Sequence, residues 1–408
     1  MKLLAPAGNF SSLAAALKAG ADSVYFGTKL LNMRARARNF ELNQLKKVVE
    51  RCHDYGAESW LTLNIQIYDN EIETAEKVLN SAAQAEVDGV IVWDPAVISL
   101  AAKMNIPFHI STQASVANVE SALFYENLGA KAVVFARDLS LESISRIKQK
   151  LKARGSNLKM ECFGHGAMCV AVSGRCFLSQ FMFGQSGNRG ECLQPCRRSY
   201  EVKDTISGQK LRLENHTIFS PRDLCTIPVL NQIMAAGVDL LKIEGRNRSA
   251  DYVFEVVKTY RQALDAASQG KLDQKKQNRL VDNLRKIYNK GFHTGFYEKP
   301  PGPMGYSREE NSSGLRKKFY LGRIDKIYRK IAVNDIIVHS GQLKTGQKVL
   351  ILGKTTGVEA TTVTSIYNDN HQSVEFAEKG QLVGVKFAGN PHLHCQDKVF
   401  VFEKPGKS

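Results

Sequence analysis

Residues 60–93, WLTLNIQIYDNEIETAEKVLNSAAQAEVDGVIVW, decide the fold of this chain. The stretch begins and ends with short runs rich in β-branched and aromatic residues, Trp60–Ile65 and Val90–Trp93. Between these runs, Glu71–Ala85 has apolar residues at the spacing of an amphipathic helix. A strand, a helix and a second strand in this order form the unit from which parallel sheets are built.

The same alternation continues on both sides of this stretch. Short apolar runs predict six further strands, at Lys2–Ala5, Ser23–Phe26, Phe108–Ile110, Ala132–Phe135, Leu158–Phe163 and Val238–Ile243. Helical spacing recurs between and after them, in Phe10–Ala19, Leu42–Tyr55, Val116–Leu128, Leu141–Leu151 and Tyr252–Ala267. Eight strands with following helices over about 270 residues are typical of a closed barrel, whereas an open doubly wound sheet usually has fewer strands. We therefore predict an α/β fold, a TIM-like (β/α)8 barrel.

The barrel pattern is interrupted once and is followed by a second domain. After the seventh strand, an insertion at about residues 164–221 carries clustered cysteines and a predicted hairpin, Ser199–Lys203 with Lys210–Phe219. The barrel is predicted to occupy residues 1–290, and the proline- and glycine-rich segment 291–318 predicts a linker. Residues 319–408 contain short strands and turns, which predicts a small C-terminal all-β barrel.

The charge of the chain points to a polyanionic partner. Lysine and arginine number 56 against 40 acidic residues, which gives a net charge of +16. This excess favours nucleic acid, with a solvated basic surface as the alternative. A content of 43% hydrophobic and 24% charged residues excludes a disordered or fibrous chain. No apolar run approaches the roughly 20 residues that span a bilayer, and the first residues do not form a signal peptide, so we expect a cytoplasmic protein.

Five of the eight cysteines are crowded between Cys162 and Cys196. Such crowding in a cytoplasmic chain favours a metal or redox site over disulfides. Cys169, Cys176, Cys192 and Cys196 lie together in a glycine-rich loop, where four thiolates suit either a structural zinc or an iron–sulfur cluster. The only short pair is Cys192-x3-Cys196, so the spacing favours a cluster, with zinc as the alternative.

Polar residues follow the predicted strands at their carboxyl ends, where barrel enzymes place their active sites. They are Asn64, Asp94, Ser111, Gln113, Arg137, Glu161, His165, Lys242 and Glu244. Any one of them alone could be a capping or loop-anchoring residue, but their convergence predicts a catalytic mouth. Arg137 or Lys242 could bind a carboxylate, and Glu161 or His165 could move protons. We expect Asn64, Gln113 and Glu244 to contact the substrate as well.

An arginine-rich loop is predicted at the same mouth. Asn32–Phe40 follows the second strand and carries Arg34, Arg36 and Arg38 in alternation. Three arginines in this arrangement are a plausible phosphate grip for an RNA stem. A solvated loop with one structural arginine is the alternative.

The cysteine loop also carries a resemblance to a known family. Residues 161–179, ECFGHGAMCVAVSGRCFLS, resemble the signature of the collagenase-like peptidase family U32. The matching positions are Glu161, Phe163, Gly166, Cys169, Gly174, Cys176 and Ser179. Residues 4–8, 20–25, 111–114, 137–140 and 242–246 are similar to further blocks of the family. The C-terminal domain is similar to the β-barrel second domain of translational GTPases.

The resemblance implies an RNA-modifying enzyme despite the peptidase label of the family. Members with this architecture hydroxylate tRNA, which implies that this chain forms 5-hydroxyuridine at the anticodon wobble position. The resemblance further implies prephenate as a required metabolite and a 4Fe-4S cluster, whose ligands here would be Cys169, Cys176, Cys192 and Cys196. It makes tRNA the expected partner, and a paralogous family member is a further candidate.

Other functions stay open at this point. A peptidase fits the family label, although the sequence lacks His-Glu-x-x-His and Gly-x-Ser-x-Gly. Hydroxylation of ribosomal RNA belongs to a related branch. An RNA-binding factor with structural zinc accounts for the charge and the cysteines, but it leaves the polar barrel mouth unexplained. An oxygen-adding enzyme that acts on RNA accounts for all these features and is our prediction.

Overall fold

The computed structural model shows two barrels of different kinds. It describes residues 1–403 except 199, 201, 204, 209, 212–219, 303–304 and 308–311. Every helix in this part of the chain is too short or too polar to span a lipid bilayer.

The first barrel consists of eight parallel strands. They are β1 (Lys2–Ala7), β2 (Ser23–Gly27), β3 (Glu58–Leu63), β4 (Gly89–Val92), β5 (Phe108–Ile110), β6 (Ala132–Val134), β7 (Lys159–Gly166) and, after three strands of the insertion, β11 (Leu240–Ile243). Each strand pairs with the next, and β11 pairs with both β7 and β1, so the barrel is closed. The predicted TIM-like barrel is confirmed.

Helices cover the outside of this barrel. They are α1 (Phe10–Lys18), α2 (Leu45–His53), α3 (Ile72–Gln84), α4 (Pro95–Lys103), α5 (Val119–Asn127), α6 (Leu141–Ala153), α8 (Leu230–Ala235), α9 (Ala250–Ser268) and α10 (Gln274–Arg285). Their starts are set by capping side chains: Asn9, Asp94 and Asn118 each accept a hydrogen bond from a first-turn backbone N–H. The apolar faces of helices and strands share one buried core.

The insertion after β7 contains short elements. It holds α7 (Leu178–Phe183), the antiparallel pair β8 (Val202–Lys203) and β9 (Lys210–Leu211), and β10 (Asp223–Cys225), which pairs antiparallel with β7. The rest of the predicted hairpin, residues 199, 201 and 212–219, lies outside the described residues. Next to β10 lies β12 (Phe292–His293), so the first part of the predicted linker joins the barrel sheet.

The second barrel is antiparallel and has its own core. Six strands close it: β13 (Lys317–Tyr328), β14 (Val333–Val338), β16 (Lys348–Gly353), β17 (Gly357–Tyr367), β20 (Leu382–Phe387) and β21 (Lys398–Glu403). Three shorter strands accompany them, β15 (Gln342–Lys344), β18 (Ser373–Val374) and β19 (Phe376–Glu378). Buried residues such as Ile336, Val385 and Val399 fill its interior. The predicted small β-barrel is confirmed.

The two barrels are held together along α1 and α2. Lys18 Nζ donates a hydrogen bond to the Thr356 carbonyl oxygen at 2.9 Å, and Arg51 Nη1 donates to the Lys354 carbonyl oxygen at 2.8 Å. Gly357 has a φ of +67°, and a Cβ on it would lie 3.1 Å from the Ala14 backbone. This close approach fixes the second barrel beside the first helix of the TIM-like barrel.

Candidate active site

A cavity opens at the carboxyl ends of the barrel strands. Because all eight strands are parallel, the loops that follow them meet at this one end. Its lining includes most of the residues expected from the sequence: Asn64, Ser111, Gln113, Arg137, Lys242, Glu244, Arg34, Arg36, Cys169, Cys176, Cys192 and Cys196. The structure does not bring Asp94, Glu161, His165 or Arg38 into this lining.

Glu161 lies below the cavity floor and is completely buried. Its Oε1 accepts a hydrogen bond from Lys242 Nζ at 2.7 Å, and its Oε2 lies 3.1 Å from His109 Nδ1. Burial raises the pKa of the Glu161 carboxyl, but Lys242 and His109 outweigh burial and lower the pKa to about 2. Trp60 stacks on His109 with ring centroids 3.6 Å apart. Glu161 is therefore an ionised anchor for Lys242.

Glu244 is surrounded by cations at the cavity wall. Arg34 Nε donates to Glu244 Oε1 at 3.2 Å, and the Tyr25 hydroxyl lies 3.4 Å from Glu244 Oε2. Burial raises the pKa of the Glu244 carboxyl, but four cations, with Arg34 and Arg246 foremost, lower it overall. The same carboxylate raises the pKa of the Arg34 guanidinium. Both groups are therefore ionised at neutral pH.

Two cavity arginines keep an unused donor. Arg137 packs its guanidinium on Phe163, 3.7 Å from the ring centroid, and donates from Nη1 to the Ala167 carbonyl oxygen at 3.0 Å. Arg246 donates from Nη1 to Thr62 Oγ1 at 2.7 Å. Among the described residues, Nε of each arginine is buried without a hydrogen-bond partner. Burial lowers the pKa of Arg246 to about 10, so it stays cationic at neutral pH. An anionic ligand could satisfy these donors.

Neutral hydrogen-bonding groups also line the cavity. Asn64 Nδ2 donates to Ser111 Oγ at 3.3 Å, and the Ser111 hydroxyl donates to Gln113 Oε1. Asn64 Oδ1 also accepts from the Met33 backbone N–H at 3.3 Å. Asp94, by contrast, caps α4 and accepts from the Ile67 backbone N–H. Asn64 and Gln113 thus present amide groups to the cavity, while Asp94 has a structural role.

His165 lies in an aromatic cluster outside the cavity. Its ring packs against Tyr252, Tyr260 and Phe292, and its Nδ1 is 3.4 Å from the Tyr260 hydroxyl. Burial, with a smaller contribution from Arg248, lowers the pKa of His165 to about 3. The imidazole is therefore neutral and packed among aromatic rings at physiological pH, away from the site where the sequence places a proton-transfer group.

The four clustered cysteines all line the cavity. Cys169 and Cys192 are exposed, whereas Cys176 and Cys196 are partly buried. Gly187 lies between two of them, since a Cβ on it would be 3.9 Å from Cys192 Sγ and 3.1 Å from the Cys176 carbonyl oxygen. Within the part of the chain that the structure describes, no three His, Cys, Asp or Glu side chains are close enough together to hold a metal ion. The four thiols nevertheless lie near one another, because burial and then the charges of Cys169, Cys192 and Cys176 raise the pKa of the Cys196 thiol to about 11.

The three arginines of the predicted phosphate grip lie in different places. Arg34 pairs with Glu244 inside the cavity. Arg36 lines both the cavity and a neighbouring groove, and Arg38 lines the groove alone. The three arginines therefore do not act at one point.

Three further residues belong to the site without having been predicted from the sequence. Arg246 follows Lys242 and Glu244 at a spacing of two residues, at and just beyond the end of β11, and this spacing could have identified it. His109 sits between two apolar strand residues, which is the pattern of a side chain that points into the barrel. Arg197 lines the cavity next to Cys196 and donates from Nη2 to the Met168 carbonyl oxygen at 3.1 Å.

Comparison with known proteins identifies the family. The model of peptidase family U32 matches residues 8–305. The chain belongs to peptidase family U32. This match covers the TIM-like barrel from α1 onward and the cysteine loop, so the family predicted from residues 161–179 is confirmed.

U32 relatives with different names resemble this chain. A collagenase of Porphyromonas gingivalis is 38% identical over 415 residues, which cover 99% of this chain and 98% of that protein. A tRNA hydroxylation protein of Bacillus subtilis is 36% identical over 307 residues, covering 74% of this chain and 72% of that protein. A 23S rRNA 5-hydroxycytidine synthase of Escherichia coli is 33% identical over 375 residues, covering 89% of this chain and 54% of that protein.

Proposed function

We propose that this protein hydroxylates RNA, and specifically that it converts the wobble uridine of tRNA to 5-hydroxyuridine. The observation that carries the proposal is the cavity, where cationic side chains, amide groups and four cysteines meet. Relatives named for hydroxylation of tRNA and of rRNA, at 36% and 33% identity, support an RNA substrate. The net charge of +16 supports it as well.

The cavity side chains suit a nucleotide and a small anion together. Lys242, Arg137 and Arg246 are the cations that would bind anionic groups, and Arg137 and Arg246 each keep a free Nε donor. We propose that prephenate, a dicarboxylate, is bound by these cations. The amides of Asn64 and Gln113 can donate to and accept from the edge of a uracil ring.

A 4Fe-4S cluster fits the cysteines better than a single zinc ion does. Zinc would need its sulfur ligands within about 2.3 Å of one point, whereas each iron of a 4Fe-4S cluster takes one thiolate. Four thiols that line one cavity without converging on a single point suit the second arrangement, and Cys169, Cys176, Cys192 and Cys196 would be the ligands. When bound, the cluster would supply electron transfer beside the substrate. Arg197 lines the same cavity and would offset the negative charge of the thiolates.

The proposal is tested by complementation of a strain that lacks the gene. Copies encoding the natural sequence, Arg137→Gln and Lys103→Gln would be expressed, and the nucleosides of bulk tRNA measured by mass spectrometry. Lys103 lies at the carboxyl end of α4, away from the cavity, and serves as the matched control. We expect 5-hydroxyuridine with the natural and Lys103→Gln copies and a loss of about 100-fold with Arg137→Gln. Equal yield from all three copies would remove Arg137 from the site.

The prephenate requirement is tested separately. Cells unable to make prephenate should lose 5-hydroxyuridine even when the protein is abundant, and supplied prephenate should restore it. Unchanged 5-hydroxyuridine in such cells would remove prephenate from the proposal while leaving RNA hydroxylation in place.

A collagenase-like peptidase is the second candidate. The observation that favours it is the name of the relative from Porphyromonas gingivalis, which matches along 99% of this chain. The test is incubation of the purified, cluster-loaded protein with denatured collagen, with Arg137→Gln as the comparison. Cleavage that Arg137→Gln abolishes would establish peptidase activity in this cavity. Intact collagen together with hydroxylated tRNA would exclude it.

Hydroxylation of ribosomal RNA is the remaining candidate, supported by the Escherichia coli relative. Nucleosides from ribosomal RNA of the same strains would show it as a hydroxylated pyrimidine that depends on the gene, with tRNA unchanged.

A further inference from the structure

A groove between the two barrels continues from the cavity. Its walls come from the loop after β2, from the segment between β11 and α9, and from strands of the C-terminal barrel. Arg36, Arg246 and Asn247 line both the groove and the cavity. Because the two share these residues, one ligand can occupy both.

The groove is strongly cationic. Its lining contains seven basic residues and no Asp or Glu: Arg36, Arg38, Arg246, Arg248, Lys318, Lys354 and Lys398. Of these seven residues, only Lys318 forms an ion pair with a carboxylate in the described part of the chain, and its partner is Asp251. Arg246 also faces the Glu244 carboxylate, and Arg248 faces that of Asp223. The four remaining cations form no ion pair with a carboxylate in the described part of the chain, so the groove attracts an extended polyanion.

The start of α9 adds further positive potential. Ser249 and Ala250 line the groove, and the Ser249 side chain makes no capping hydrogen bond. The first N–H groups of this 19-residue helix and the positive end of its dipole therefore lie at the groove. Backbone N–H groups at such a helix end bind phosphate oxygens.

Aromatic rings of the C-terminal barrel flank these charges. Phe400 lines the groove, and its ring centroid is 5.6 Å from that of Tyr320. Lys398 Nζ lies 5.9 Å from the Tyr320 ring, and 36% of the Tyr320 surface is exposed. Phe400 is only partly exposed, but aromatic rings beside cations are the arrangement that binds single-stranded nucleic acid, where the rings stack on bases.

We propose that this groove binds the sugar–phosphate backbone of the RNA substrate while the cavity holds the nucleotide that is modified. This inference rests on the proposed function and assigns the C-terminal barrel a role in substrate binding. The hydrogen bonds from Lys18 and Arg51 fix that barrel against the first, so its cations Lys354 and Lys398 stay aligned with the cavity. An anionic membrane is the other polyanion to consider, but a concave groove that runs into a cavity fits a chain better than a flat surface.

The test measures RNA binding by the full-length, cluster-loaded protein. The double variant Lys354→Gln with Lys398→Gln removes two groove charges from the C-terminal barrel, and neither lysine lines the cavity that holds the four clustered cysteines. The matched control is Lys330→Gln with Lys379→Gln, two exposed lysines of the same barrel that line neither the groove nor the cavity. Fluorescence anisotropy with a labelled tRNA anticodon stem–loop would be recorded at several salt concentrations, and vesicles of phosphatidylglycerol would be tested in parallel.

We expect the groove variant to bind the stem–loop about tenfold more weakly at low salt, while the control matches the natural protein. The slope of log affinity against log salt should fall by about one for each lysine that contacts a phosphate. Equal affinity and slope for groove and control variants would overturn the inference and leave the proposed function intact. Loss of vesicle binding with unchanged RNA binding would assign the groove to a membrane. Failure of the natural protein to bind the stem–loop would overturn both proposals.

Discussion

Lys242 and Glu161 form a buried ion pair inside the barrel, with Nζ and Oε1 2.7 Å apart and side-chain exposures of 7% and 0%. The pair joins the floor of the cavity to the barrel interior, because Lys242 lines the cavity and Glu161 lies beneath it. His109 holds the second oxygen of the same carboxylate. The position of the Lys242 ammonium thus depends on Glu161 and His109, neither of which lines the cavity.

Replacement of Glu161 by Gln is expected to destabilise the fold by about 3–5 kcal/mol at neutral pH, since it leaves the Lys242 ammonium buried without its counter-charge. The pKa of Glu161 is about 2 in the fold and near 4.3 when unfolded. The natural protein is therefore more stable to unfolding than Glu161→Gln by the full amount above about pH 4.3, and this difference is lost as the pH falls toward 2. Urea unfolding of both proteins across this range measures it.

The double variant Glu161→Gln with Lys242→Met is the control for this pair. Removal of both charges should recover a large part of the lost stability. If the double variant is as unstable as the sum of the single variants, the ion pair is not what stabilises the barrel floor.

His165→Gln is expected to change stability more than activity. It should lower the free energy of unfolding by about 1–3 kcal/mol at neutral pH, because packing and hydrogen bonding are lost. The rate of tRNA hydroxylation should stay within about twofold of that of the natural protein. The pKa of His165 is about 3 in the fold and near 6.5 when unfolded. The natural protein should lose stability relative to the variant as the pH falls from 6.5 toward 3. A loss of hydroxylation in a folded variant would return His165 to the catalytic residues.

Gly190→Ala is expected to displace the cysteine loop. Gly190 has a φ of +85°, and a Cβ on it would lie 2.3 Å from the Asn32 carbonyl oxygen in the arginine loop. Gly184 is the matched control, because its φ is +67° but a Cβ there meets nothing within 4 Å. Gly184→Ala should cost only the backbone strain of about 1 kcal/mol. Iron content after anaerobic purification should fall in Gly190→Ala alone, and equal iron in both variants would contradict a tight loop contact.

Substitution of the clustered cysteines tests the proposed metal centre. Anaerobically purified protein should be brown and contain iron and acid-labile sulfide. Cys169→Ser, Cys176→Ser, Cys192→Ser and Cys196→Ser should each lose the colour, whereas Cys395→Ser, at an exposed position of the second barrel, should keep it. One zinc ion per chain and no iron would contradict the proposed cluster and support the zinc alternative.

The barrel was predictable because its signal is local and repeated. Each strand and helix has its own hydrophobic period, as in residues 60–93, and eight such units have one closed arrangement. The position of the cavity could be predicted for the same reason, because residues at strand ends such as Asn64 and Lys242 must meet at the barrel mouth.

His165 departs from the prediction for a reason that local patterning does not reveal. Along β7, Phe163 pairs with Lys242, but a register shift then places His165 opposite Ile243. The irregularity turns His165 away from the cavity side and into the aromatic cluster beside Tyr260. A hydrophobic pattern cannot locate such a shift in a strand.

The groove between the barrels was not predictable either. Arg38 and Lys398 lie far apart in the sequence and meet only because the second barrel docks on α1. No periodicity within either domain encodes that docking, which depends on single contacts such as Lys18 with Thr356.

Hydroxylation of tRNA is tested most directly by the nucleoside profile of bulk tRNA from cells with the gene, without it and with it restored. 5-Hydroxyuridine and its derivatives should disappear with the gene and return with the restored copy. An unchanged profile in cells that have no paralogue of this chain would contradict tRNA hydroxylation.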